Sequence, residues 1–287
     1  MKKGTSPTLE VIVATHKPYT IPTDSLYRPL LVGSSFFQAK YPDIKLPSIF
    51  SFDNTGKNIS EKNPNYSELT GLYWLWQNRA IKDKNPDSFY GLVHYRRFFS
   101  VKDTKEILTK KTLKSLLYDL DKNIKYDIIL PKKRHYFIEN LYSHYAHTLH
   151  IEPLNKTRQI IQDYHPEYLA EFDRLKMRRS AHMFNIFIMR KNLFNEYCEF
   201  LFDTLINLEK SLPKTELNQY DDFHARFFGR ISELLLDVFL YTKYTDLDQK
   251  TNVLELKIIE TEPVNWFTKI TSFLLAKFFG KKYHKSY

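Results

Sequence analysis

Cysteine is nearly missing from this chain. Cys198 stands alone, which excludes an internal disulfide and any cysteine-built zinc site and suits a reducing compartment. Glycine is scarce too, with 7 in 287 residues. Neither a Walker loop nor a Gly-x-Gly-x-x-Gly fingerprint occurs, so a phosphate here is expected to be held by side chains rather than by a backbone cradle. No run of about 18 uncharged apolar residues is found, and the N-terminal MKKGTSPTLE has no apolar core, so neither a membrane span nor a secretory leader is expected. No segment recurs with a period of about 20 to 50 residues, which excludes a solenoid.

What the chain does have is 43% hydrophobic and 16% aromatic residues, enough to fill a large core. Its 43 Lys+Arg against 33 Asp+Glu give a formal charge of +10, so its partners are expected to be anionic: nucleic acid, a phosphorylated small molecule or an acidic membrane face.

The β-branched run Leu9 to Ala14 reads as a first strand, leading into the turn-like THKPYTIP. Residues 53–65 carry turn signals throughout, and Asn63-Pro64 predicts the start of a helix running to about Arg79. Next comes Phe89 to Phe99, FYGLVHYRRFF, a strand whose polar end is its carboxyl end. Beyond it are a basic helix near 103–120, a strand over 126–131, a His- and Tyr-rich segment over 135–150, an apolar strand over 185–189 and a helix over 193–208. Strands alternating with helices predict an α/β fold with a mostly parallel sheet, helices on its flanks and a helical C-terminal part. From Trp266 onward the chain is aromatic and lysine-rich, the composition of an in-plane interfacial helix. A C-terminal helix packed on the core with a lysine tail is the other reading.

In open α/β sheets, ligands lie beyond the carboxyl ends of strands. Three polar clusters meet that condition: Thr15-His16-Lys17, the loop over 53–68 with its helix start, and His94-Tyr95-Arg96-Arg97. Arginine keeps its charge and forks onto phosphate oxygens, so Arg96 and Arg97 are expected to take a diphosphate. The structural alternative pairs one arginine with a core acid and leaves the other at the surface. Asn63, Tyr66, Glu68 and Thr70 surround the first turn of the second helix, and Trp74 offers a stacking face or a core residue. His144, His147 and His150 are spaced three apart, of which the first two share a helical face; acceptor contact, with His147 the candidate, or a plain surface position is preferred to metal binding. Asp221 and Asp222 are adjacent acids able to serve as a general base or to cap a helix.

Three segments together, ATHKPY, DNTGKNISEKNPNYSELTGLYWLWQN and GLVHYRRFF, resemble the signature blocks of a bacterial family of capsular and exopolysaccharide loci that includes galactofuranosyltransferases. MFNIFIMRKNLFNEYCEFLF and RFFGRISELLLDVFL resemble its later blocks, so the likeness runs from about residue 10 to 240. The resemblance implies a GT-A-like transferase domain over residues 1–250, with a basic amphipathic tail over 251–287. It also implies a nucleotide-sugar donor, with UDP-galactofuranose the leading expectation, and a lipid-linked oligosaccharide acceptor. The implied enzyme is a cytoplasmic galactofuranosyltransferase, peripheral on the inner face of the membrane through that tail. Family members commonly carry further acids near Asp53, where this chain has Asn54 and Lys57.

With cations where most GT-A enzymes place an Asp-x-Asp, a metal-independent enzyme without cofactor is expected. Thr15, His16, Lys17, Asn63, Tyr66, Thr70, His94, Tyr95, Arg96 and Arg97 would bind the donor. Trp74, His147 and Asn185 would bind the acceptor, and Asp222, Asp221 or Glu68 would accept the proton, in that order. A nucleic-acid-binding protein and a non-catalytic membrane-associated assembly protein are the alternatives. Basic residues gather at strand ends and the C-terminus rather than in one stripe, so nucleic acid is not an expected partner.

Overall fold

The β-branched run at the start of the chain forms a strand buried along its whole length, β1 (Leu9–Thr15), at the centre of a nine-stranded sheet. The computed structural model describes residues 6–101, 104–118, 123–213, 220–244 and 252–262. After β1 come β2 (Tyr27–Leu31), α1 (Ser34–Lys40), β3 (Ser51–Phe52), α2 (Asn63–Tyr66), α3 (Leu69–Leu75), β4 (Phe89–His94), β5 (Arg97–Phe99), α4 (Lys110–Leu117) and β6 (Ile128–Pro131). The next elements are β7 (Arg134–His135), α5 (Leu141–Thr148), α6 (Glu152–Tyr164), α7 (Leu169–Asp173), β8 (Ser180–Ala181), β9 (Phe187–Arg190) and α8 (Lys191–Ser211). Finally come α9 (Phe227–Lys243), β10 (Val253–Leu256) and β11 (Ile258–Glu260).

The chain divides into two units. The first takes Met1–Lys132, Phe184–Glu199 and Asp246–Thr261; the second takes Lys133–Met183, Phe200–Thr245 and Glu262–Tyr287. The sheet belongs to the first, in the order β10-β6-β9-β4-β1-β2-β3, with β5 paired to β4 and to β11. β4, β1, β2 and β3 run parallel, as do β6 and β10, while β9 lies antiparallel between β4 and β6. This is the mixed, mostly parallel α/β sheet that the alternation of strands and helices predicts.

Both faces of the sheet are covered, because alternate residues of β1 serve different helices. Leu9, Val11 and Val13 join a core with Leu113 and Leu117 of α4. Ile12, on the other face, lies under Gly71 of α3, where an added Cβ would meet Val32 at 2.8 Å. Tyr90 of β4 meets Phe194 of α8 on that second face, with ring centroids 5.7 Å apart. Gly91 allows β4 and β9 to pair closely: a Cβ there would lie 2.6 Å from the Phe187 carbonyl oxygen.

Two expectations change. The helix predicted over 63–79 is broken at Ser67, whose backbone takes φ 52° and ψ −129°, so α2 and α3 are separate and a wide turn over Trp76–Ala80 closes the segment. The break is stabilised locally, because the Asn63 side-chain amide donates to the Ser67 carbonyl at 2.7 Å. The tail expected from residue 251 begins instead with β10 and β11, which pair with β6 and β5 across more than a hundred residues of chain. The remainder of that tail, residues 263–287 with the predicted interfacial helix, lies outside the described residues.

In the second unit Tyr168, in the turn before α7, Phe200 of α8 and Phe239 of α9 pack with their rings stacked, centroids 4.0 to 6.1 Å apart. A buried pair, His182 Nδ1 and Asp237 Oδ1 at 2.5 Å, ties the chain after β8 to α9. Among the described residues no helix is long and apolar enough to cross a membrane.

Candidate active site

Strand order reverses between β1 and β4, since the chain leaves β1 for β2 and β3 on one side and returns to β4 on the other. The crevice beyond such a reversal is where open α/β sheets collect ligands. Here it is furnished by Thr15-His16-Lys17 from β1 and His94-Tyr95-Arg96-Arg97 from β4. The Thr15 hydroxyl donates to the Lys17 carbonyl at 2.6 Å and accepts from the Lys17 amide at 3.2 Å, which turns the chain sharply at the strand end. The Tyr95 amide donates to the Ala14 carbonyl at 3.2 Å, bringing the two ends level.

Tyr95 and Arg96 form the tip of a two-residue hairpin, because His94 and Arg97 are cross-strand partners. The half-buried Tyr95 ring is the meeting point of the cluster. His16 stands edge-on to it at 5.4 Å, and Lys17 Nζ and Arg96 Cζ lie 5.0 and 5.9 Å from its centroid. Tyr19, the last residue of ATHKPY, completes the aromatic wall at 6.1 Å from Tyr95. Its hydroxyl is enclosed without a hydrogen-bond partner among the described residues, and burial raises its pKa well above the ordinary tyrosine value.

Arg97 departs from the expected pairing of both arginines on one ligand. It turns back into the sheet with 8% of its surface exposed, its Nε 3.1 Å from Glu260 Oε1 and its guanidinium 4.2 Å from the Phe184 ring centre. The antiparallel register of β5 with β11 sets Glu260 opposite Arg97. Arg96, in the turn, is half-buried beside Tyr95, whereas Arg97, the first residue of β5, is retained by Glu260.

Beneath the hairpin lies a second cluster. His94 Nε2 is enclosed with no hydrogen-bond partner among the described residues. Burial, reinforced by Arg97 and Arg96, holds its imidazole below the ordinary value, against the opposing pull of Glu68 and a hydrogen bond to the Phe184 main chain. Glu68 Oε1 accepts from the Asn185 side-chain amide at 2.6 Å. Among the described residues the non-glycine positions with positive φ are Ser67 at 52°, Phe184 at 79° and Asn185 at 51°, and all three flank this hydrogen bond. Each costs on the order of 1–3 kcal/mol, a strain that gathers where geometry serves a site.

Other residues expected to bind donor or acceptor are bonded within the scaffold. Thr70 donates its hydroxyl to Asp53 Oδ2 at 2.6 Å, and Tyr66 is fully enclosed. Asn63 is engaged with Ser67 and Thr70, and Trp74 is a core residue whose Nε1 donates to Thr55 at 2.9 Å. Asp53 is the centre of this knot. Fully buried, it accepts from the amides of Gly33 and Ser34 and the hydroxyls of Ser34, Ser60 and Thr70. The turn signals around it predict a loop but not this anchor.

Asp221, Asp222 and His147 belong to the second unit. Asp221 Oδ1 accepts from the Phe223 and His224 amides and meets His224 Nδ1 at 2.8 Å; the hydrogen bond from the His224 amide leads the contacts that lower its pKa. Asp222 is exposed. Glu139 lies between His144 and His147, 3.2 Å from one imidazole and 2.6 Å from the other. Among the described residues no three His, Cys, Asp or Glu side chains gather as a metal shell would require.

The fold is shared with a solved structure described as the WbbM bifunctional glycosyltransferase in its apo form. The likeness has a TM-score of 0.70 and 26% identity, over 89% of this chain and 46% of that one. The chain therefore spans about half the length of that protein. No curated protein matches it. Residues 10–244, most of the chain and the whole of the strand-end cluster, match the family described as "Domain of unknown function (DUF4422)", and the chain belongs to that family.

Proposed function

We propose that this chain is a glycosyltransferase that takes a nucleotide-activated sugar at the carboxyl ends of β1 and β4. The observation that carries this reading is the convergence of His16, Lys17 and Arg96 on Tyr95 at the strand-order reversal. Cations arrayed over an aromatic wall match a nucleoside diphosphate, whose ring stacks and whose phosphates take ionic hydrogen bonds. The likeness to a glycosyltransferase supports the same class of reaction.

In this reading Lys17 and Arg96 stabilise the charge that grows on the diphosphate as the bond from the anomeric carbon to the phosphate oxygen breaks. The electron pair leaves with the diphosphate, and an acceptor hydroxyl forms the new bond. Glu68 ranks first of the three acids as acceptor of that hydroxyl's proton, because Asn185 fixes one of its oxygens, whereas Asp221 Oδ1 is occupied by several donors. Arg97 holds the hairpin through Glu260. Charge neutralisation by side chains makes the reaction independent of a divalent metal. The finer assignment rests on the family resemblance: galactofuranose from UDP-galactofuranose, passed to a lipid-linked glycan of a capsular or exopolysaccharide at the inner face of the membrane.

The test is transfer from a panel of UDP-sugars, UDP-galactofuranose included, to lipid-linked acceptors with and without a chelator. Product formation that survives chelation supports the reading. Absence of transfer and of hydrolysis across the panel contradicts it.

A further inference from the structure

In the second unit, the two-stranded ribbon of β7 and β8 is prolonged by Tyr136, whose amide donates to the Arg179 carbonyl at 2.7 Å, and by Leu141, whose amide donates to the Arg178 carbonyl at 2.8 Å. The residues between these two bonds form the tip of the ribbon. Phe137 is 88% and Ile138 58% exposed there, and Met177, next to Arg178, is 79% exposed. A large aromatic, a β-branched aliphatic and a methionine held out together are more apolar surface than a single stray side chain presents.

The same two segments, residues 133–138 and 174–179, contain Lys133, Arg134, Arg174, Lys176, Arg178 and Arg179 and no acid. The flanking acids balance two of these six cations, and Asp173 is bonded to Arg158, outside the two segments. Glu139 is buried between His144 and His147, and Glu171 is bonded to Arg174 and Arg178. Arg134 and Lys176 lie over the rings of Tyr136 and Tyr142, at 5.1 and 5.0 Å.

We propose that this ribbon tip docks on an anionic membrane surface, with Phe137, Ile138 and Met177 entering below the headgroups and the surrounding cations lying against lipid phosphates. The charge complementarity selects the occupant: apolar side chains rimmed by lysine and arginine suit the boundary between anionic headgroups and acyl chains. The surface uses no residue of the C-terminal segment or of the strand-end cluster, so it stands or falls apart from glycosyl transfer.

The full chain is sedimented with vesicles of mixed phosphatidylglycerol and phosphatidylcholine and with vesicles of phosphatidylcholine alone. Binding to the mixed vesicles is expected to exceed binding to the neutral ones. The double change Phe137→Ser and Ile138→Ser is expected to weaken it by about tenfold, since burial of these side chains is lost, with the melting temperature unchanged. Lys176→Glu with Arg179→Glu is expected to abolish the preference for the anionic vesicles. Equal binding to both vesicle types, no binding to the mixed vesicles, or undiminished binding by either double variant would overturn the proposal.

Discussion

Asn185 donates its side-chain amide to Glu68 at 2.6 Å, across 117 residues of chain, from a backbone held at φ 51°. Asparagine tolerates that left-handed conformation better than most residues, and Phe184 beside it, at φ 79°, does not. A strained turn is thus maintained next to a carboxylate whose orientation it sets.

Glycine at position 185 keeps the left-handed turn and removes only the amide. Asn185→Gly is expected to slow transfer at least about tenfold, since a charged acceptor loses a hydrogen bond, with little loss of stability. Asn185→Ala is expected to cost about 1–2 kcal/mol of stability as well, because its Cβ opposes positive φ. Denaturant unfolding beside steady-state rates separates the two, and equal behaviour of both variants would reduce Asn185 to a packing residue.

Neighbouring arginines are expected to behave differently. Arg97→Ala removes a buried guanidinium and leaves Glu260 without it, lowering stability by about 2 kcal/mol. Arg96→Ala is expected to change stability by no more than about 0.5 kcal/mol while depressing turnover severely. Thermal melts and rates of the two single variants check this, and a matched loss of both properties in Arg96→Ala would assign that residue to structure.

Asp53 is expected to be a stability residue that takes no part in the chemistry. Asp53→Ala strands several buried donors at once, and a loss of about 3 kcal/mol or more is expected. Urea unfolding reads it. A near-neutral change would mean that water replaces the carboxylate.

Acid is expected to weaken the second unit through His144. Burial, with Arg134 and His147 adding to it and Glu139 opposing, lowers its pKa from 6.5 to about 4. A histidine whose folded pKa is depressed is stabilising while neutral, so that contribution is full above pH 6.5 and is lost as pH falls from 6.5 towards about 4. Stability measured across that window is expected to fall less steeply in His144→Gln. An unchanged slope would place the acid sensitivity elsewhere.

The central strands and their polar ends are legible in the sequence because their signals are local. Leu9 to Ala14 and FYGLVH are β-rich runs, and each gives way to polar residues, so the β1 and β4 termini stand out as clusters without knowledge of their register. β2 is hidden, because Pro29 in YRPLL argues against a central strand. In the sheet, β3 pairs only with Leu30 and Leu31, so the β3 side of Pro29 carries no ladder bond. Glu260 and Phe184 escape notice for another reason. Each acts through a partner far away in sequence, and an acid in IIET or a phenylalanine before Asn185 carries no mark of that partner. The same holds for Asp53, whose donors come from three separate stretches of chain, Gly33–Ser34, Ser60 and Thr70.

Calorimetric titration of the full chain with UDP in excess chelator tests the central claim most directly. Saturable binding without metal is predicted, weakened about tenfold or more in Arg96→Ala and in Lys17→Ala through loss of ionic hydrogen bonds, with melting temperatures of both variants unchanged. Binding that requires a divalent ion, or that is indifferent to both substitutions, would contradict it.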